Sequence, residues 1–189
     1  MNALKEKILK EGSVIGTEII KVDQFLNHRI DVKFLEEIGE EFHKRFAEER
    51  ITKILTVEAS GIAIAVIAAK YFDYVPVVFA KKAVPSTMTG GSYTAEARSF
   101  TKGTVSMFRV SREALSPEDR VLILDDFLAS GEAGFALAEI VKAAGAAVCG
   151  IGSVIEKEYQ GGSRRLREAG YRVESLAVIK GIENGTIVW

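Results

Sequence analysis

Two adjacent carboxylates, Asp125 and Asp126, close the apolar run Val121-Leu122-Ile123-Leu124 and lead through Phe127-Leu128 into the small-residue segment Ala129-Ser130-Gly131-Glu132-Ala133. An ionised aspartate accepts hydrogen bonds only, which suits it to sugar hydroxyls or to a hard cation and its waters. The apolar run has the composition of a strand buried in a parallel sheet, and open α/β sheets bind ligands where such strands end. The spacing predicts that the carboxylates enter a short loop that opens a helix. Amides from Ala129 to Ala133 then lie free at a helix N-terminus, where unsatisfied N–H groups and the helix dipole favour a phosphate. The combination points to a sugar-phosphate site rather than to a plain strand-loop-helix with solvated acids.

Two further segments fit that chemistry. Glu58-Ala59-Ser60-Gly61 separates a predicted strand from a predicted helix, so small residues again let backbone amides approach an anion closely. Lys81 and Lys82 directly follow the strand-like run Val75 to Ala80 and can neutralise a leaving anion as its charge develops. Other chemistries are poorly supplied. His28 and His43 are the only histidines, on separate segments, which argues against a zinc cluster or a Ser-His-Asp triad. Ser130 lacks a Gly-x-Ser-x-Gly setting and is read as a phosphate contact. Cys149, the only cysteine, sits in the apolar run 146–151 and is read as a buried, inert thiol.

The elements that must position these residues alternate between helix and strand. Phe34, Leu35, Ile38, Phe42 and Phe46 recur at helical spacing after Asp31, an N-cap, and predict a helix near 32–47. Strands are expected at 53–57 and 75–80 around an Ala- and Ile-rich helix at 61–71. Residues 81–103 read as a long mobile loop, with a hairpin through 93–98 and 104–110. A helix from Ala133 to Ala144 ends at Gly145, followed by a strand at 146–155 and a short helix at 164–169. Strands at 173–179 and 186–189 are expected to join through the turn Glu183-Asn184-Gly185. The pattern implies an α/β fold with a mostly parallel central sheet flanked by helices.

The chain has 189 residues, 48% of them hydrophobic, enough for one domain with a sizeable core. Its 25 basic and 26 acidic residues give a formal charge of −1, with no basic block interleaved with aromatics, so nucleic acid is not an expected partner. The charged segment Met1 to Lys10 lacks an apolar signal core and no run is long enough to span a bilayer, so a cytoplasmic protein without membrane contact is expected.

The run from Val121 to Ala133 resembles the 5-phosphoribosyl 1-diphosphate (PRPP) signature of type I phosphoribosyltransferases. Ala133 stands where family members commonly place Thr, so backbone amides must do more for the 5′-phosphate. Ala129 stands where hypoxanthine-guanine enzymes usually carry Asp. Over nearly its full length the chain is similar to bacterial xanthine phosphoribosyltransferases. Tyr93, Ser99, Phe100, Thr101 and Lys102 match the flexible catalytic loop of that subfamily. The resemblance implies one domain over 1–189, with a core about 32–155 and a hood from about 1–31 and 156–189. It implies Asp125, Asp126 and Lys81 as catalytic, and Ala129 to Ala133 with Ala59, Ser60 and Gly61 as PRPP-binding. Ile20, Asn27 and Lys157 are then the xanthine contacts. Mg2+ would arrive with PRPP rather than on dedicated protein ligands, and the family typically forms homodimers. The implied activity is purine salvage, turning xanthine and PRPP into xanthosine 5′-monophosphate and diphosphate. A hypoxanthine, guanine or adenine enzyme is the alternative, and a PRPP-sensing regulator that binds nucleic acid is the reading from another class.

Overall fold

The computed structural model describes residues 1–16, 18–83, 90–99 and 104–189. Helix α1 (Asn2–Glu11) precedes the antiparallel pair β1 (Ser13–Ile15) and β2 (Ile19–Lys21) and a helical turn over Asp23–Asn27. Then follow α2 (Val32–Phe46), β3 (Lys53–Val57), α3 (Ser60–Ala69) and β4 (Val77–Ala80). An antiparallel hairpin of β5 (Ser92–Ser99) and β6 (Thr104–Ser111) leads to β7 (Arg120–Leu128) and α4 (Glu132–Ala143). The chain continues through β8 (Ala147–Lys157), α5 (Gly162–Glu168) and β9 (Val173–Ile179) to a small hairpin of β10 (Gly181–Glu183) and β11 (Thr186–Val188).

The main sheet has the order β4-β3-β7-β8-β9, and every neighbouring pair is parallel. Alternation along β7 feeds two cores. Val121 and Ile123 pack with Leu137, Ile140 and Val141 of α4, whereas Leu122 and Leu124 pack with Ile38, Phe42 and Phe46 of α2. The spacing of those aromatics turns one face of α2 onto the sheet, each buried ring contributing about 2 kcal/mol of transfer free energy. The Asp31 side chain caps this helix by accepting from the Phe34 amide at 3.1 Å. Opposite Phe42, β8 carries Gly152, where a Cβ would lie 2.8 Å from the ring and 2.7 Å from Leu124. Only a glycine lets the helix seat this closely on the strand.

Several elements differ from the sequence expectation. Helix α1 was not expected, because lysines and glutamates interleave its apolar positions. Leu4 and Ile8, one turn apart, are nonetheless buried, and the Met1 ammonium donates to Leu176 O at 2.6 Å. Strand β8 runs past Ile155, so Glu156 and Lys157 belong to the sheet. The run Val173–Ile179 pairs with β8 in the main sheet, and the Asn184-Gly185 turn closes β10 on β11 instead. Both turn residues have positive φ, 49° and 75°, as a tight hairpin requires. The hairpin expected after residue 92 is present; Phe100, Thr101 and Lys102 lie outside the described residues. Among the described residues no helix is long and apolar enough to cross a membrane.

Candidate active site

Strand β3 follows β7 only from Lys53 to Leu55, opposite Val121 to Ile123, while β8 stays paired with β7 as far as Leu128. The carboxyl ends of β3 and β7 therefore part where the strand order reverses, which is where doubly wound sheets open a crevice for ligands. Gly61, in the first turn of α3, closes the floor of this gap. A Cβ there would overlap Thr56 Oγ1 and come within 3.4 Å of Asp125 Oδ1, so the small-residue loop meets the carboxylate because it lacks a side chain. Ala59 caps α3 without a side-chain bond, Ser60 is its first residue, and the Glu58–Ala59 peptide is cis.

Asp125 and Asp126 lie within β7 rather than in a loop beyond it, because the pairing with β8 carries the strand on. Their side chains diverge along the strand, yet the two carboxyls stay within hydrogen-bonding reach of each other. Asp125 lines a cleft of about 260 Å³ shared with Lys82, Arg98, Phe127 and the segment from Ala129 to Gly134. Asp126 turns to the hood, where its Oδ2 accepts from Asn27 Nδ2 at 3.2 Å. Burial pushes the Asp125 carboxyl well above the usual carboxylate range. The Asp126 charge and side-chain hydrogen bond add to this, while the Asp126 amide, 3.0 Å from Asp125 Oδ1, and the Lys82 charge oppose it. Above the cleft, Gly131 at φ +89° swings the chain from β7 into α4, and the Phe135 amide donates to Gly131 O at 2.9 Å. Ala129, Ser130, Gly131, Glu132 and Ala133 all border the cleft.

The two lysines are not equivalent. Lys81 is bridged to Arg109 through backbone bonds in both directions, and its Nζ lies 5.8 Å from the ring centre of Phe79, on the outer edge of the sheet. Lys82 borders the cleft, and its amide donates to Glu58 Oε1 at 2.6 Å. The structure thus puts Lys82, not Lys81, at the place expected for the cation. One residue decides this, because successive residues of an extended segment face opposite ways.

The hood forms a second flank. Lys157 Nζ donates to Glu18 O at 2.8 Å and stands 5.5 Å from the ring centre of Phe127, which itself lines the cleft. Burial lowers the Lys157 ammonium below the ordinary lysine range, and the Glu18 charge partly restores it. Asn27 Oδ1 is buried with no hydrogen-bond partner among the described residues. Ile20 is 6% exposed and packs in the core with Val22, Phe25 and Leu26, which helps hold the hood together. Sequence reading missed Phe127, Arg98 and Ser106 as lining residues. Phe127 could have been found from its place in the carboxylate run, but Arg98 and Ser106 reach the cleft only because the β5–β6 hairpin folds over α4. Among the described residues no cluster of three or more His, Cys, Asp or Glu could hold a metal ion.

A crevice at the switch point, adjacent carboxylates and a small-residue loop opening α4 are set on a type I phosphoribosyltransferase fold. Residues 21–185 match the phosphoribosyl transferase domain, and the chain belongs to that family. Its relatives include the xanthine phosphoribosyltransferase of Ruminiclostridium cellulolyticum, 54% identical over 187 residues that cover 99% of this chain and 98% of the relative. That of Bacillus cereus (strain G9842) is 51% identical over 189 residues, covering 100% and 95%. In fold the chain is similar to the adenine phosphoribosyltransferase of Thermoanaerobacter pseudethanolicus, with a TM-score of 0.77, 22% identity, and coverage of 93% of this chain and 99% of that one.

Proposed function

We propose that this chain is a purine-salvage enzyme that joins xanthine to PRPP, releasing diphosphate and forming xanthosine 5′-monophosphate. The reading is supported above all by identity of 50% or more to xanthine phosphoribosyltransferases over almost the whole of both chains. The hood geometry agrees with it. Lys157, a partly desolvated cation, and Asn27, with a free amide oxygen, suit a base carrying two oxo groups and acidic ring N–H groups.

In this mechanism the 5′-phosphate sits on the amides from Ala129 to Ala133, and the diphosphate lies toward Ala59, Ser60, Gly61 and Lys82. The ribose hydroxyls meet Asp125 and Asp126. The bond from the anomeric carbon to the diphosphate oxygen breaks with its electron pair leaving on the diphosphate. The anomeric carbon gains positive character, which the two carboxylates stabilise, and N9 of the deprotonated base forms the new bond. Positioning and charge stabilisation carry the catalysis, with no covalent enzyme intermediate. The residues fit a divalent cation that arrives with PRPP: burial, and then the adjacent Asp126 charge, raise the Asp125 carboxyl, and added positive charge would oppose that. Mg2+, when bound, neutralises diphosphate charge, and Asp125 and Asp126 would hold it through its waters and the ribose oxygens.

We take residues 1–189 as one phosphoribosyltransferase domain with a terminal hood, working in the cytoplasm as a homodimer. Helix α3 is apolar on every side, and Val66, Tyr74 and Phe79 leave apolar surface exposed at the β4 edge of the sheet, which suits a second copy. The test is nucleotide formation from Mg2+ and PRPP with xanthine, guanine, hypoxanthine and adenine offered separately. The expected result is a kcat/KM for xanthine about tenfold or more above any other base. A preference for another base overturns the pocket assignment, and no turnover with any base favours a PRPP-sensing protein.

A further inference from the structure

The phosphate loop does not stand alone: its outer side rests on the first turn of α5. Gly162 donates its amide to Ala129 O at 3.1 Å, and a Cβ on Gly162 would lie 2.6 Å from Ser130 C, 2.5 Å from Gly131 N and closer still to Ala129 O. In the reverse direction a Cβ on Gly131 would meet Gly162 Cα at 3.2 Å. The two backbones are therefore in direct contact through paired glycines. One turn further along, Arg165 Nη1 donates both to Ser130 O and to Glu132 Oε1, each at 2.7 Å, and the guanidinium lies 5.2 Å from the ring centre of Phe135. The turn is in turn tied to the sheet. Glu156, 2% exposed near the end of β8, accepts from Ser163 Oγ, while its other oxygen has no partner among the described residues.

We propose that Arg165, carried on the first turn of α5 and anchored by Glu156 to Ser163, is a positioning residue for PRPP: it fixes the Ser130 carbonyl so that the loop amides point into the cleft. The physical need is specific to this loop. It runs Ala129-Ser130-Gly131 with a positive φ at Gly131 and no side-chain cap on α4, so nothing within the loop itself sets the direction of its peptide planes. A charge-assisted bond to a carbonyl fixes the peptide that follows, and the amide of that same peptide is the one offered to the phosphate. The pairing with Glu132 keeps the guanidinium in place. Lys157, the neighbour of Glu156, faces the other way into the hood, so the end of β8 holds the phosphate loop with one residue and the base flank with the next.

The inference rests on the reading of this cleft as a PRPP site, and the test separates the two. Arg165 is half exposed, so Arg165→Ala is expected to fold. Hydrogen exchange at the amides of Gly162 and Phe135, which bond the loop carbonyls of Ala129 and Gly131, measured without any substrate, should speed up about fivefold, while the amides of α2 and of the hood keep their rates. In turnover, KM for PRPP should rise about fivefold with kcat and KM for xanthine unchanged, and Arg165→Lys should recover part of the loss, since an ammonium also donates to a carbonyl. Unchanged exchange at Gly162 and Phe135, or protection lost evenly across the sheet, overturns the positioning role whatever the enzyme's base preference. Faster exchange at these two amides in a protein that forms no nucleotide keeps the inference and overturns the activity.

Discussion

In the proposed mechanism the segment from Ala129 to Ala133 offers its ligand consecutive backbone amides of one strand-loop-helix unit, whereas the hood offers Asn27 and Lys157, side chains from opposite ends of the chain. The first arrangement would recognise charge and shape common to every phosphoribosyl donor, and its geometry is local. The second would recognise hydrogen-bonding groups of one base, and its geometry exists only when α1, the β1–β2 pair and β8 have packed together. The two flanks touch at Asp126 and Phe127, where Asn27 bonds the carboxylate and Lys157 faces the ring. A site divided in this way can change its base without rebuilding its phosphate half.

The largest effect is expected where the flanks meet. Replacing Asp125 and Asp126 together by Asn should lower kcat by about a thousandfold, with the melting temperature of the protein held or raised, because two like charges leave a desolvated place. Turnover within tenfold of the parent would show that the carboxylates do not stabilise the sugar. Lys157→Ala comes next. It should cut kcat/KM for xanthine about a hundredfold and that for hypoxanthine far less, since only the dioxo base uses the cation fully. The lysine pair sharpens the comparison further. Lys82→Ala should raise KM for PRPP about tenfold and Lys81→Ala about twofold or less, because only Lys82 borders the cleft. Equal effects would contradict the assignment.

The pH profile of kcat/KM, which reports the free enzyme, supplies a subtler check. The raised Asp125 carboxyl takes up its proton as pH falls at values where an ordinary aspartate is still ionised, so the acid limb should come early. Asp126→Asn removes the like charge and should move that limb to lower pH. On the alkaline side the lowered Lys157 ammonium loses its proton before an ordinary lysine would, and Lys157→Ala should abolish that limb. The smallest effect on activity is expected far from the cleft. Lys53→Met breaks the buried pair with Asp119, 2.7 Å long, and should cost about 3 kcal/mol of stability with both KM values unchanged.

The loop that borders the cleft was legible in the sequence because it is contiguous: a run such as Leu124-Asp125-Asp126 leading into Ala129-Ser130-Gly131 carries its own strand, loop and helix start. The parallel sheet followed from the same alternation of apolar strands and amphipathic helices. Where register or packing decides, the sequence was silent. Lys81 and Lys82 differ only by which side of an extended segment they occupy. Ile20 has the composition of either a pocket wall or a core residue, and only the folded chain shows it packed with Phe25 and Leu26. Helix α1 hid because its two buried residues, Leu4 and Ile8, stand among charges that give no wide apolar stripe. Arg165 and Glu156 carry no motif at all, and only the meeting of α5 with the loop brings them to the site.

The separation of the two flanks is tested most directly by measuring the affinity for Mg2+ and PRPP calorimetrically in the parent and in Lys157→Ala, alongside kcat/KM for xanthine. A PRPP dissociation constant unchanged within about twofold, with kcat/KM for xanthine down about a hundredfold, is the predicted result. Loss of PRPP affinity in step with the loss of xanthine turnover would show that phosphate loop and hood act as one unit, and would contradict the division of the site proposed here.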